Sequence, residues 1–205
     1  TIMKHFVSLL NDSIKTNWER PAVTNFGGVT YTYAQMAEVI SKYHVLFSEA
    51  GIKKNDKIAL YARNSAEWVI AYFATLTYEA VTVPFLPDFL PSAVAELGSF
   101  SECKLLIADD IAIAGLKEDA KNIERLEATA GFAGIVNLKD ISVDYAAVKE
   151  LSSAYETLDE HLKALYPNGI SAADVNFYKE ERDMEAVVEI SFTSGTTSAM
   201  SKGVV

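Results

Sequence analysis

The sequence predicts an α/β fold, a largely parallel sheet with flanking helices. Short apolar runs begin near residues 57, 81 and 104, about 24 residues apart, and a helical pattern fills each gap. The runs are nearly continuous, as strands covered on both faces are, and do not alternate apolar with polar. A fourth run, Gly134-Ile135-Val136-Asn137-Leu138, follows an acidic, Ala-rich stretch. Such β–α–β units imply parallel strands with right-handed crossovers. No sequence repeat underlies the period.

In chain order, His5 to Ile14 reads as a helix, with Phe6, Leu9 and Leu10 at helical spacing. Two β-prone runs, 21–26 and 29–32, flank Gly27-Gly28 and suggest a hairpin. Thr32 and Gln35 have capping-box spacing, and the helix they open puts Met36, Val39, Ile40, Tyr43 and Phe47 on one face before Gly51 stops it. Lys57 to Ala62 is the first buried-type strand. Asn64-Ser65-Ala66-Glu67 then starts a helix from Trp68 to about Tyr78 that is apolar almost all round. In the second strand, Val81 to Phe85, Pro84 must end the ladder or sit at the sheet edge. Pro91 suits the first turn of a helix reaching Leu97 and closed by Gly98, ahead of the third strand, Lys104 to Ala108. Residues 109–133 read as helical. The polar stretch 139–185 reads as a peripheral excursion with helical pieces at Tyr145–Tyr155 and Glu160–Tyr166, and its charge run Lys179-Glu180-Glu181-Arg182-Asp183 as a solvated connection. The chain re-enters the sheet at Val187.

Composition excludes several classes. Half of the residues are hydrophobic, which suffices for a packed core and argues against disorder. No apolar stretch is long enough to span a membrane, and no export signal opens the chain. A net charge of −10 disfavours nucleic acid as a partner. The one cysteine, Cys103, cannot form an internal disulfide, which fits a reducing, cytoplasmic setting, and it reads as a small core residue. His5, His44 and His161 are scattered and read as surface or packing residues; Tyr61, Trp68, Tyr72, Phe73 and Tyr78 read as core.

The candidate chemistry lies in the last thirteen residues. Thr193, Ser194, Gly195, Thr196, Thr197 and Ser198 lead to Ser201, Lys202 and Gly203, and an apolar run feeds into them. Small residues admit an anion close to the backbone, hydroxyls and N–H groups donate to phosphate oxygens, and lysine supplies a compensating charge. The loop reads either as a polyphosphate grip or as a Ser/Thr-rich surface connection. A Walker-type P-loop is excluded by the spacing of Gly195 to Lys202, by Ser201 before the lysine and by Gly203 after it. No G-x-G-x-x-G follows a strand, so a dinucleotide fold has no direct support.

Thr193-Ser194-Gly195-Thr196-Thr197, with Ser201-Lys202-Gly203-Val204, resembles the phosphate-loop signature T-S-G-T-T-G-x-P-K-G-V of the adenylate-forming (AMP-binding) superfamily. Ser198 stands at the signature's second glycine and Ser201 at its proline, with the lysine in register. If that glycine position needs a positive φ, serine there costs on the order of 1 kcal/mol. Leu76 through Pro84 is similar to the family's L-K-A-G-A-A-Y-V-P segment, with Glu79 at its glycine, and Asn64, Glu67 and Trp68 sit as in the acyl-CoA ligases. The chain resembles most the N-terminal portion of long-chain fatty-acid–CoA ligases.

That resemblance implies a two-step reaction: a carboxylate attacks the α-phosphorus of ATP, pyrophosphate leaves, and the thiol of CoA then attacks the acyl-adenylate. It implies that Thr193, Ser194, Gly195, Thr196, Thr197, Ser198, Lys202 and Gly203 grip ATP phosphates, that Thr193 contacts Mg²⁺, and that Lys202 neutralises the departing pyrophosphate. The implied partners are ATP, CoA and a fatty acid. Membrane association of the full-length protein is not readable. The expected organisation is 1–205 as an incomplete N-terminal part of the AMP-binding domain, since Val204-Val205 ends the chain at the start of a strand and the family's glutamate, ribose-binding aspartate and small C-terminal domain lie beyond it. Alone, these residues are expected to be inactive. A peptide-synthetase-type adenylation domain and a non-catalytic anion-binding α/β module remain the alternatives.

Overall fold

The computed structural model of the protein describes residues 4–193. Helix α1 (Phe6–Thr16) starts at His5, whose Nδ1 accepts a hydrogen bond from the Val7 amide at 3.0 Å. Strands β1 (Pro21–Thr24) and β2 (Thr30–Thr32) form the expected antiparallel hairpin. Thr32 then caps α2 (Tyr33–Glu49): the Gln35 amide donates to Thr32 Oγ1 at 3.2 Å, and the Thr32 amide donates to Gln35 Oε1 at 2.9 Å. Two orphan donors are satisfied reciprocally, which is why the helix starts there.

Among the described residues the main sheet has five strands: β3 (Lys57–Tyr61), β4 (Val81–Phe85), β5 (Leu105–Ala108), β6 (Gly134–Asn137) and β7 (Val143–Ala146), in the order β4-β3-β5-β6-β7. The first four are mutually parallel, and β7 returns antiparallel along β6. Helix α3 (Ala66–Thr77) links β3 to β4, α4 (Pro91–Phe100) links β4 to β5, and α5 (Asp110–Lys117) and α6 (Ala120–Glu127) link β5 to β6.

Strand pleating divides the core in two. Ile58, Leu60, Leu105 and Ile107 face one cluster with Ile40, Phe47 and Ile70 of α2 and α3. Ala59, Tyr61, Leu106 and Ala108 face the other, with Val94, Leu97, Ile113, Leu116 and Leu126 of α4, α5 and α6. Burial on both faces explains the unbroken apolar runs. Cys103 lies in the second cluster, where burial pushes its thiol pKa up to about 12 and leaves it inert near neutral pH.

Four expectations need correction. Gly98 does not close α4 but lies inside it, where a Cβ would meet Leu126 Cδ2 at 3.3 Å; its missing side chain lets α6 approach. The helix expected from Tyr145 begins at Lys149, because Val143–Ala146 hydrogen-bonds to β6 first; α7 (Lys149–Glu156) and α8 (Leu158–Leu165) follow. The stretch 139–185 is not wholly peripheral, for it supplies that strand and buries Ile141, Leu151, Leu158, Val175 and Phe177 in the first cluster. Nor is the charge run fully solvated: Arg182 is 7% exposed, and its Nη1 donates to the Leu76 carbonyl at 2.8 Å. Its guanidinium is drawn to the carbonyls at the end of α3, a tertiary contact that local charge density does not reveal.

Candidate functional site

Of the residues expected to grip phosphate, Thr193 is described; Ser194, Gly195, Thr196, Thr197, Ser198, Lys202 and Gly203 lie outside the described residues. What the structure gives is the support that delivers the chain to them. Residues 187–193 run beside β4 through one parallel bridge, Thr82 to Glu189. The Thr82 amide donates to the Val188 carbonyl at 3.0 Å, and the Ile190 amide donates to the Thr82 carbonyl at 3.0 Å. In a parallel ladder the next donor on that side of β4 belongs to the residue two further along. That residue is Pro84, which has no N–H, so this donor of the ladder is missing. The expected edge role of Pro84 is thus seen on the side where residues 188–190 run.

Side chains hold the same segment. Phe192 is buried and stacks on Phe85, the last residue of β4, at 5.8 Å and 4° between planes. The Tyr72 hydroxyl donates to Glu189 Oε2 at 2.7 Å, and Ser191 Oγ donates to Glu189 Oε1 at 2.5 Å. Burial, then the hydrogen bond and charge of Glu189, raise the Tyr72 pKa and keep its hydroxyl a donor. Trp68 stacks on Tyr72 at 5.3 Å. The sequence pattern reads Tyr72 as core and does not reveal this anchor; its one signal is Glu189, a lone acid in the apolar run 187–192.

The carboxyl ends of the other strands form a polar crevice. From β3 the chain moves to β4 on one side, then crosses to β5 on the other, so the strand order reverses between β3 and β5. Open parallel sheets bind ligands outside the carboxyl ends of strands at such a point. A cavity of about 430 Å³ lies there, lined by Arg63, Asn64, Ser65, Asp109, Asn137 and Lys139 among others. Ser65 caps α3, accepting from the Trp68 amide at 3.0 Å, and Asp109 caps α5, accepting from the Ala112 amide at 2.9 Å. Asp109 Oδ2 also accepts from the Arg63 amide at 3.0 Å.

Glu67, in the first turn of α3, ties in the hairpin: Asn25 Nδ2 donates to it at 2.8 Å and the Tyr31 hydroxyl at 3.1 Å, while Asn25 Oδ1 accepts from the Ala66 amide at 2.7 Å. The histidines behave as expected. His5 is a cap, His161 lies 3.8 Å from Glu49, and His44 packs against Tyr78 and Phe177 with Nε2 2.8 Å from Thr77 Oγ1. Burial holds the His44 pKa down to about 4, keeping the ring neutral. Among the described residues no cluster of three or more His, Cys, Asp or Glu side chains could hold a metal, and no helix is long and apolar enough to cross a membrane.

Comparison with known proteins gives the family and the fold. The sequence profile described as AMP-binding enzyme matches residues 10–205. Acetyl-coenzyme A synthetase of Magnetococcus marinus is 26% identical over 168 residues, covering 81% of this chain and 24% of that protein. Long chain acyl-CoA synthetase 1 of Arabidopsis thaliana is 24% identical over 136 residues, covering 65% of this chain and 21% of that one. The chain thus spans less than a quarter of the length of these two relatives. The inhibitor-bound N-terminal domain of FACL13 from Mycobacterium tuberculosis superposes with a TM-score of 0.65 at 22% identity, over 98% of this chain and 44% of that one, a likeness of fold.

Proposed function

The chain belongs to the AMP-binding enzyme family, and on that premise we propose that it is the N-terminal part of the large domain of an ATP-dependent carboxylate–CoA ligase acting on a fatty acid. One observation carries the reading: a segment bridged to β4 and anchored through Tyr72, Glu189 and Phe192 leads into Thr193 and the phosphate-loop sequence after it. In this reading the hydroxyls and amides of residues 193–198 hold the β- and γ-phosphates of ATP, so that the α-phosphorus faces the carboxylate. Lys202 offsets the charge that builds on pyrophosphate as the P–O bond breaks. The products of the first step are acyl-adenylate and pyrophosphate. CoA thiol then attacks the acyl carbonyl and AMP leaves.

Mg²⁺ would suit hydroxyl and phosphate oxygens here, because a hard cation of this size prefers oxygen donors and needs few from the protein. The Thr193 hydroxyl would help to hold it. When bound, the ion draws negative charge from the phosphate oxygens. Fatty acid is proposed as the substrate from the sequence likeness to long-chain ligases.

The test is product formation by the full-length protein given ATP, Mg²⁺, CoA and, in turn, fatty, aromatic and amino acids. Acyl-CoA and AMP should appear with a fatty acid. Turnover with amino acids alone, with no thioester to CoA, would replace this reading with a peptide-synthetase-type adenylation domain.

A further inference from the structure

We propose that a second site, at the amino end of the main sheet, binds a small oxyanion, a phosphate or carboxylate group, between Arg182 and Lys179. The site is a cavity of about 280 Å³ lined by His44, Thr77, Tyr78, Glu79, Asn176, Phe177, Lys179 and Arg182. Its wall is made by the C-terminal end of α3, by α2 and by the segment 176–182.

Arg182 is the centre of the site. It is 7% exposed, and a guanidinium carries five N–H donors. Its side chain makes one hydrogen bond among the described residues, Nη1 to the Leu76 carbonyl at 2.8 Å. Arginine is almost never so buried without a charge partner. The acid lining the same cavity, Glu79, is near enough for its charge to act on Arg182 but pairs with Lys54, its Oε1 3.0 Å from Lys54 Nζ, and no described carboxylate comes within ion-pair distance of Arg182. The guanidinium thus borders a polar cavity with donors in hand and no described carboxylate in contact with them.

The neighbours fit an anionic guest. Lys179 lines the same cavity, so a second cation borders the space. His44 stays neutral, and its Nε2 is within hydrogen-bond distance of Thr77 Oγ1 and the Ala74 carbonyl. Asn176 adds an amide. His5 stacks on Tyr178 at 5.9 Å, and the Tyr78 hydroxyl donates to the Ile52 carbonyl at 2.6 Å. With Lys54 paired to Glu79, Arg182 and Lys179 are left as net positive charge. The fork of arginine suits the paired oxygens of carboxylate or phosphate.

The test uses the whole chain carrying Lys202→Ala, so that the terminal lysine contributes nothing. Inorganic phosphate and, separately, acetate are titrated at pH 7.5 and constant ionic strength while the His44 ring resonances are followed by NMR. A saturable His44 shift is expected with at least one of the two, and which of them saturates identifies the group. The shift should need about tenfold more anion in Lys179→Ala and vanish in Arg182→Met. Lys179 is exposed and makes no side-chain hydrogen bond among the described residues, so its variant decides the matter even if Arg182→Met fails to fold. No saturable shift, an equal effect of chloride, or binding unchanged in Lys179→Ala would overturn the proposal and leave the cavity to water.

Discussion

Glu79 holds a left-handed backbone, φ 65°, in the turn between α3 and β4, where its amide donates to the Leu76 carbonyl at 3.1 Å and its carbonyl accepts from the Asn55 amide at 2.9 Å. An L-residue in that region costs about 1 kcal/mol that glycine does not. Its carboxylate is meanwhile paired with Lys54. Comparing Glu79→Gly with Glu79→Ala separates the two effects, since both lose the ion pair. The glycine variant should be more stable than the alanine variant by about 1 kcal/mol in urea melts. Equal stability would mean that the turn relaxes without strain. This position was legible as the glycine of the family's L-K-A-G segment, but the conformation it imposes was not. Arg182 was the opposite case: a run of five charged residues looks solvated until α3 supplies a carbonyl for one of them.

Elements were legible where the cause was local. The capping box at Thr32, the cap at Ser65 and the apolar runs of β3, β4, β5 and β6 each rest on neighbours within a few residues. Strand β7 was not legible, because Val143-Asp144-Tyr145-Ala146 becomes a strand only by pairing with β6. The sequence signal for that pairing is Gly134, whose φ is 151° and whose Cβ, if present, would fall 2.1 Å from the Tyr145 carbonyl oxygen and 2.6 Å from Leu151 Cδ2. Backbone cannot yield as a flexible side chain does. Gly134→Ala should therefore lose about 3 kcal/mol or more of stability, read as a lower urea midpoint with the m-value unchanged. A change under about 0.5 kcal/mol would show that β6 and β7 separate easily. The edge at β4 has the same logic in reverse. Pro84 was legible as an edge residue, whereas the parallel bridge from Thr82 to Glu189 and the Tyr72 anchor join residues more than a hundred positions apart.

At the scale of the molecule, the sheet separates two ends. The carboxyl end carries the switch-point crevice, two helix N-caps and the departure of residues 187–193 toward the candidate phosphate loop. The amino end carries the Arg182 cavity. The candidate site was legible as sequence, through its spacing of hydroxyls, glycines and one lysine, and so was the apolar run that feeds it, whereas the bridge to Thr82 and the Tyr72–Glu189 anchor were legible only in three dimensions. The account stands or falls on Lys202 in the full-length protein. The decisive measurement is fatty-acid-dependent ATP–pyrophosphate exchange without CoA, for the natural protein and for Lys202→Ala. Exchange should occur in the first and be slowed by about 2–4 kcal/mol of transition-state stabilisation in the second, some thirty- to a thousandfold. Exchange absent with every acid, or equal in both proteins, would contradict it.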